Sequence, residues 1–414
     1  MSTHPLDLVL AATTRFLESL PERPVYPATS YKELVEALGG PTPEDGIADD
    51  AVIRTLIEAA DRGAVATPGP RYFGFVTGGT LPAALAAEWL TAALDQNAAL
   101  HTMSPFSAAV EQVAAGWLLD LLGLPATASV GFVTGATMAN VTCLAAARHE
   151  VLRRVGWDVE AHGLQGGPRV TVVAGAEAHA SIYTAVRMIG LGASNVVPVE
   201  ADDQGRMRPD ALRGVLSSLA SPLIVCAQSG NVNTGAFDPL EEIAAIAHER
   251  GAWVHVDGAF GLWAAVSPGL RDHLRGAALA DSWTVDGHKW LNVPYDSGFA
   301  IVAHPAAHRA SMSQTAAYLH LAGDEERDGM EWTPEASRRA RGNAVYAAIR
   351  SLGRSGLAEM IERCCACAQI IAERLRPEAG VEILNDVVLN QVLVRFRDAA
   401  GRNIKPDVAS RNHN

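Results

Sequence analysis

The chain has 414 residues, and at the usual domain size of about 100–200 residues this length implies two or three packed parts. Apolar residues make up 49% and charged residues 19%, an ordinary globular profile that excludes a disordered chain. The net charge of −13 argues against nucleic acid or an anionic membrane surface as the main partner and leaves small molecules or proteins.

The start, Met1 to Leu10, carries no basic residues ahead of its apolar ones, and Thr13-Thr14-Arg15 interrupts the run. No export signal is read there, and a cytoplasmic protein is expected. Up to about residue 70 the pattern is of amphipathic helices punctuated by Pro21, Pro24, Pro27, Pro41 and Pro43. The longest apolar stretch, Leu81 to Leu94, includes Glu88 and ends at Asp95, short of the roughly 20 residues of a membrane span.

From Gly131 to about residue 305 short β-rich runs alternate with Ala-rich helical runs. The strands are expected at 130–134, 169–174, 195–200, 223–228, 253–257, 282–286 and 298–303. This alternation predicts an α/β domain with a mostly parallel central sheet. Gly131 to Asn140 reads as strand, tight turn and helix start. The small residues of Gly135-Ala136-Thr137 let the backbone approach a phosphate, with the first helical N–H groups and the Thr137 hydroxyl as donors, although most such turns bind nothing. His179 follows the next strand and opens a helix; its flat ring can stack on an aromatic ligand, and the alternative is a capping or core histidine.

The strand Trp253 to Asp257 ends in a carboxylate followed by Gly258 and Ala259. At the carboxyl edge of a parallel sheet Asp257 faces the ligand crevice, and a buried carboxylate needs a cation such as a protonated pyridinium nitrogen. Taken alone, Asp257 reads equally as a helix cap or Asx turn. Lys289 carries the sharpest signal: of 33 basic residues only Lys32, Lys289 and Lys405 are lysines, so a chain that otherwise uses arginine keeps an amine here. A lysine amine can be deprotonated to form an imine with an aldehyde, and arginine cannot. The flanking Gly287-His288 and Trp290-Leu291 place it just past a strand.

After Tyr318, the polar run Ala322 to Gly329 reads as a mobile loop, followed by helices over 334–352 and 356–375 and a strand over 391–396. Cys364, Cys365 and Cys367 lie inside the second helix without the second pair that a zinc site needs, so no metal is expected and a reducing compartment fits. The tail from Arg402 to Asn414 is polar.

With these pieces in order, the sequence resembles the PLP-dependent amino-acid decarboxylases of the aromatic-amino-acid and glutamate type (group II), from about Pro70 to about Arg395. The resemblance implies the aspartate-aminotransferase-like fold (fold type I) and a homodimer. It implies an N-terminal helical segment over 1–80 that embraces the partner, a large pyridoxal-5′-phosphate domain over 81–310, and a small C-terminal domain over 311–414. It places Lys289 in the Schiff base, Asp257 against the ring nitrogen, His179 on one ring face and Ala259 on the other. Gly135, Ala136, Thr137 and His288 fall at the phosphate, Asn231 near the cofactor, and Phe73 and His101 at the substrate. The implied reaction is decarboxylation of an L-amino acid, with Lys289, His179 and Asp257 as the catalytic set.

Three features depart from the family pattern. Asp286-Gly287 stands where Asn-Pro or Asn-Ala is usual, and Gly230-Asn231-Val232 replaces Gly-Thr-Thr. The segment 323–331 has no tyrosine, a loss that in relatives favours oxidative deamination to an aldehyde. The family's small domain normally continues beyond the point where this sequence ends at Asn414, so an abbreviated domain or a truncated product is expected. Transamination and PLP binding without turnover stand as alternatives. The aromatics Tyr72, Phe73, Phe75 and Trp89 read either as an aromatic-substrate pocket or as plain core.

Overall fold

A computed structural model describes residues 4–313, 326–398 and 400–404. Tyr318, the first half of the polar run 322–329, Lys405 and the end of the tail lie outside the described residues. Contacts divide the chain into two compact units, Met1–Gly79 and Thr80–Arg402.

The first unit holds α1 (Pro5–Ser19), α2 (Tyr31–Leu38) and α3 (Asp49–Gly63). Ser30 and Glu33 form a capping box that starts α2. A side chain at Gly63 would bring its Cβ within 2.6 Å of Leu34, so α2 lies against a residue without one. Arg23 ties the connection to α3 through an ion pair with Asp61 at 2.9 Å. Leu6, Leu10, Tyr31, Val35 and Leu56 remain exposed in the single chain.

The second unit begins with α4 (Pro82–Leu94) and α5 (Pro105–Leu122). Strands and helices then alternate as β1 (Ser129–Val133), α6 (Ala136–Arg153), α7 (Val159–His162), β2 (Thr171–Gly175), α8 (Ala180–Met188), β3 (Val197–Val199), α9 (Pro209–Ser217), β4 (Leu223–Gln228), α10 (Leu240–Glu249) and β5 (Trp253–Asp257). The strands β6 (Ser282–Asp286) and β7 (Gly298–Val302), the helices α11 (Pro305–Met312) and α12 (Gly342–Leu375), and a two-stranded sheet of β8 (Val381–Ile383) and β9 (Val394–Phe396) complete it. Among the described residues the main sheet has seven strands in the order β1-β7-β6-β5-β4-β2-β3. Only β7 runs against its neighbours, pairing antiparallel with β1 and β6, so the sheet is mostly parallel.

Both faces of the sheet are buried, as a parallel sheet requires. Val172, Ala174, Ile224 and Cys226 pack with Leu144 and Leu152 of α6 and Ile182 of α8. The alternate residues Val173, Val225, Val254 and Val256 are equally buried on the opposite side, where α10 lies against β4 and β5. Each such side chain contributes about 1.5–3 kcal/mol by leaving water.

This topology puts Val133, Gly175, Gln228, Asp257 and Asp286 at one edge of the sheet, the end of five strands that run the same way. The first residues of β7 meet that edge closely: a Cβ at Gly298 would fall 2.5 Å from the Gly135 Cα. The turn after β1 and the start of β7 can pack together because Gly298 has no side chain.

The β4, β5 and β6 boundaries are those read from the sequence, whereas β2 starts at Thr171 and β3 is limited to Val197–Val199. The helix expected from Pro334 starts instead at Gly342. The intervening segment is pinned by Arg338, whose guanidinium is fully buried, donates to the carbonyls of Ala98 and Phe132 at 2.8 and 2.9 Å, and pairs with Glu111 at 2.7 Å. The break expected between two helices is present at Gly353, with φ 63 and ψ 179, a conformation open to glycine. Arg327 and Asp328, expected in a mobile loop, are anchored: Arg327 pairs with Glu111 at 3.4 Å and Asp328 is fully buried.

Candidate active site

Lys289 lies in the turn after β6, with its side chain 21% exposed and Nζ 2.9 Å from Asp286 Oδ2. The ring of Phe260 lies under it, 5.8 Å from Nζ. Asp286, the last residue of β6, is the hub of this group. Its Oδ1 accepts the Ala136 N–H at 2.6 Å and stands 3.4 Å from His288 Nε2. The His288 Nδ1 accepts the Ser297 N–H at 3.2 Å, and its ring stacks on Tyr295 at 4.3 Å. Burial holds the His288 pKa below its ordinary value, against the pull of the Asp286 charge. Gly287 is required here, because a Cβ would lie 2.4 Å from Ser297 Oγ.

At the start of α6, Gly135 has φ 156 and a Cβ there would meet His288 Cε1 at 2.9 Å. Thr137 is exposed, and among the described residues neither its hydroxyl nor the N–H groups of Thr137 and Met138 have a partner. The turn therefore offers donors to an anion, apart from the Ala136 N–H that Asp286 uses.

Asp257, 5% exposed, ends β5. Its Oδ1 accepts the Ala259 N–H at 3.2 Å, so the Asx turn read as an alternative is present. Its Oδ2 faces Asn140 Nδ2 at 3.3 Å and Ser181 Oγ at 3.5 Å. All these donors are neutral, and no cation pairs with this buried carboxylate among the described residues. Behind it runs a buried chain. Asn140 Oδ1 is 2.8 Å from His255 Nε2, His255 Nδ1 is 2.9 Å from Ser282 Oγ, and Trp253 Nε1 donates to that hydroxyl at 2.9 Å. Burial pushes the His255 pKa down to about 4, so the ring is neutral and its Nε2 proton points at the Asn140 oxygen.

His179 is the N-cap of α8. Its Nδ1 accepts the Ser181 N–H at 3.2 Å and is 2.8 Å from Ser181 Oγ, which joins the ring to the Asp257 group. A small cavity at the sheet edge is walled by His179, Asp257, Gln228, Gly205, Cys226 and Asp238. Burial pushes the Asp238 carboxyl up to about 6 even though it accepts the N–H groups of Met207 and Gln228, both at 2.7 Å. Ala259 links the two clusters: its N–H reaches Asp257 and its carbonyl accepts the Asp286 N–H at 2.8 Å.

A family model described as the pyridoxal-dependent decarboxylase conserved domain matches residues 50–397. The chain belongs to that family. This pyridoxal-dependent decarboxylase chain is 27% identical over 389 residues to 4-hydroxyphenylacetaldehyde synthase of Rhodiola rosea, covering 91% of this chain and 78% of the relative. It is 30% identical over 387 residues to L-2,4-diaminobutyrate decarboxylase of Rhizobium meliloti, covering 91% and 75%. The acidic amino acid decarboxylase of Bos taurus is 30% identical across 78% of this chain, which spans 63% of that relative's length. Among solved structures, Oryza sativa TDC with PLP and tryptamine superposes with a TM-score of 0.88 at 25% identity, over 96% of this chain and 83% of that one. The fold is thus that of the fold type I PLP decarboxylases, with helices on both faces of the sheet.

The residues of this decarboxylase chain fit pyridoxal phosphate on three observations: a buried carboxylate without a cation, an amine at the same sheet edge, and unspent N–H groups on a glycine turn. The structure brings together Gly135, Ala136, His288 and Lys289 around Asp286, and His179, Asp257 and Ala259 around Asn140 and Ser181. It does not bring Asn231 into either group. Asn231 spends its Oδ1 on the N–H groups of Asn233 and Thr234 and its Nδ2 on Gln228. His101 is held by Asp328, through its N–H at 2.8 Å and its ring at 3.3 Å, and Phe73 lies in the first unit, 81% exposed. Sequence reading missed Asn140, Ser181 and His255 and the organising role of Asp286. Two of them carried a signal: His255 precedes Asp257 by two on a strand and so shares its face, and Asn140 follows Ala136 by one helical turn.

Proposed function

We propose that the protein decarboxylates an L-amino acid to the amine and CO2, with pyridoxal 5′-phosphate held through Lys289. The observation that carries this reading is Asp257: a buried carboxylate, oriented by three neutral donors and lacking a cation, at the strand edge where the one amine of the site also lies. When bound, the cofactor supplies an electron sink that accepts the charge left as the carboxylate departs. Asp257 keeps the ring nitrogen protonated, and the Asn140–His255–Ser282 chain holds its oxygen in place. His179 stacks on one face of the ring and Ala259 lines the other. The Gly135-Ala136-Thr137 turn and His288 receive the phosphate, and Asn231 supports the adjoining turn. His101 serves the substrate.

We further assign the protein to a homodimer in a reducing cytoplasm. The exposed apolar residues of α1 to α3, together with Phe73 and Phe75, support an association surface, and the five cysteines are all unpaired. Among the described residues no helix is long and apolar enough to cross a membrane. Equilibrium sedimentation giving a monomer mass at micromolar concentration would contradict the dimer.

The test of the reaction is a panel of amino acids incubated with enzyme and cofactor, followed by CO2 release and product mass. Amine with stoichiometric CO2 is expected, and Lys289→Ala should yield neither. A second reading, decarboxylation with oxidative deamination, is favoured by the absence of tyrosine from 323–331 and by the similarity to an aldehyde synthase. Aldehyde, ammonia and peroxide formed with consumption of O2 would establish it. A cofactor band that persists while every amino acid is returned unchanged would leave a binding protein without turnover.

A further inference from the structure

Asp286 stands where two of the groups assigned to the cofactor meet. Its carboxylate, 3% exposed, accepts the first N–H of α6 at 2.6 Å and is the counter-ion of Lys289 at 2.9 Å. We propose that Asp286 and the cofactor phosphate share one proton, the one that the Lys289 ammonium gives up when its amine condenses with the cofactor's aldehyde and water leaves. The inference rests on the cofactor reading above and deepens it.

A phosphate held at the Gly135-Ala136-Thr137 turn arrives beside a buried carboxylate, while the Lys289 amine that neutralised that carboxylate is spent on the cofactor's aldehyde. Two anions close together in a desolvated site do not both stay ionised, and the pair holds a proton between them. A carboxylate oxygen can donate to phosphate only when protonated. The charged and titratable groups around Asp286 leave no other source for that proton. Burial lowers the His288 pKa and so disfavours a proton there. Asp257, on the neighbouring strand β5, faces Asn140 and Ser181 instead. Asp296, beside His288, is bound to Arg341 at 2.7 Å, and the first turn of α6 carries no charged side chain.

The test uses the full chain and measures protons released on binding, by calorimetry in two buffers of different ionisation enthalpy near pH 8. Pyridoxal phosphate and the phosphate-free pyridoxal are compared on the unmodified protein and on Asp286→Asn, with Asp286→Ser as a second variant. With pyridoxal phosphate the unmodified protein should release about one proton fewer than either variant, and as pH rises its affinity should fall ~tenfold more steeply per pH unit. With pyridoxal the difference should vanish, because both ligands use Lys289 alike and only one brings phosphate. The 31P resonance of the bound cofactor should titrate differently in the variants. Equal proton counts with pyridoxal phosphate, or the same difference with pyridoxal, would overturn the proposal, the second outcome by placing the effect on the Lys289 pair. Absence of any borohydride-fixed adduct at Lys289 in all the proteins would overturn the cofactor reading and this inference with it.

Discussion

Asp257 illustrates how a single charge is prepared before its partner arrives. Its three donors are neutral, so they orient the carboxylate without cancelling it. Asp257→Asn keeps the shape and loses the charge; kcat is expected to fall by about 10²–10³ while a cofactor adduct at Lys289 still forms, measured by steady-state rates beside the absorbance band. Equal loss of both would indicate a folding defect. The sequence made Asp257 and Lys289 visible because one ends a strand and the other is an exception in an arginine-rich chain. His255 and Asn140 were passed over because a histidine within a strand and an asparagine within a helix have many structural uses, and only the approach of α6 to β5 brings them within 2.8 Å.

At the scale of elements, the segment 326–341 is fixed to α5 and β1 by buried charge. Glu111, 2% exposed, pairs with both Arg338 and Arg327, and Arg327 also donates to the Val130 carbonyl. Removing one charge leaves the other two buried without balance, so Glu111→Gln should cost about 3–5 kcal/mol, read from denaturant unfolding. A loss below about 1 kcal/mol would show that the cluster is hydrated. No pattern in the sequence announces this cluster: Glu111 lies more than 200 residues before both Arg327 and Arg338 in the chain. The strands were legible for the opposite reason, since Leu223–Gln228, Trp253–Asp257 and Ser282–Asp286 are short β-branched or aromatic runs bounded by turn residues. The start of α12 was misplaced because Pro334 is a good helix opener locally, and Arg338 holds that segment in a non-helical form through tertiary contacts.

For the whole molecule, buried titratable groups set the acid limit of stability. Burial pushes the pKa of His255 down to about 4 and that of His308 to about 3. Both are neutral in the fold, whereas in the unfolded chain a histidine protonates near pH 6.5; stability is therefore complete above about pH 6.5 and declines as pH falls toward 4. Asp281, which burial would raise, is brought to about 2 by hydrogen bonds from His248, His304 and the Val254 N–H. Its contribution is present above about pH 4 and is lost as pH falls toward 2. Urea midpoints should fall steadily from pH 7 to pH 4.5, by up to about 3 kcal/mol for each buried histidine, and His308→Gln should flatten the slope. A midpoint independent of pH over that range would contradict the neutral buried histidines. The fold class was readable at this scale from strand and helix alternation alone, and contacts divide the chain at Thr80.

The central claim is covalent and is tested by borohydride reduction of the protein with pyridoxal 5′-phosphate, followed by peptide mass mapping. The expected result is one pyridoxyl group per chain, on Lys289, with a band that disappears in Lys289→Ala. Label on Lys32 or Lys405 instead, or no label at saturating cofactor, would contradict it.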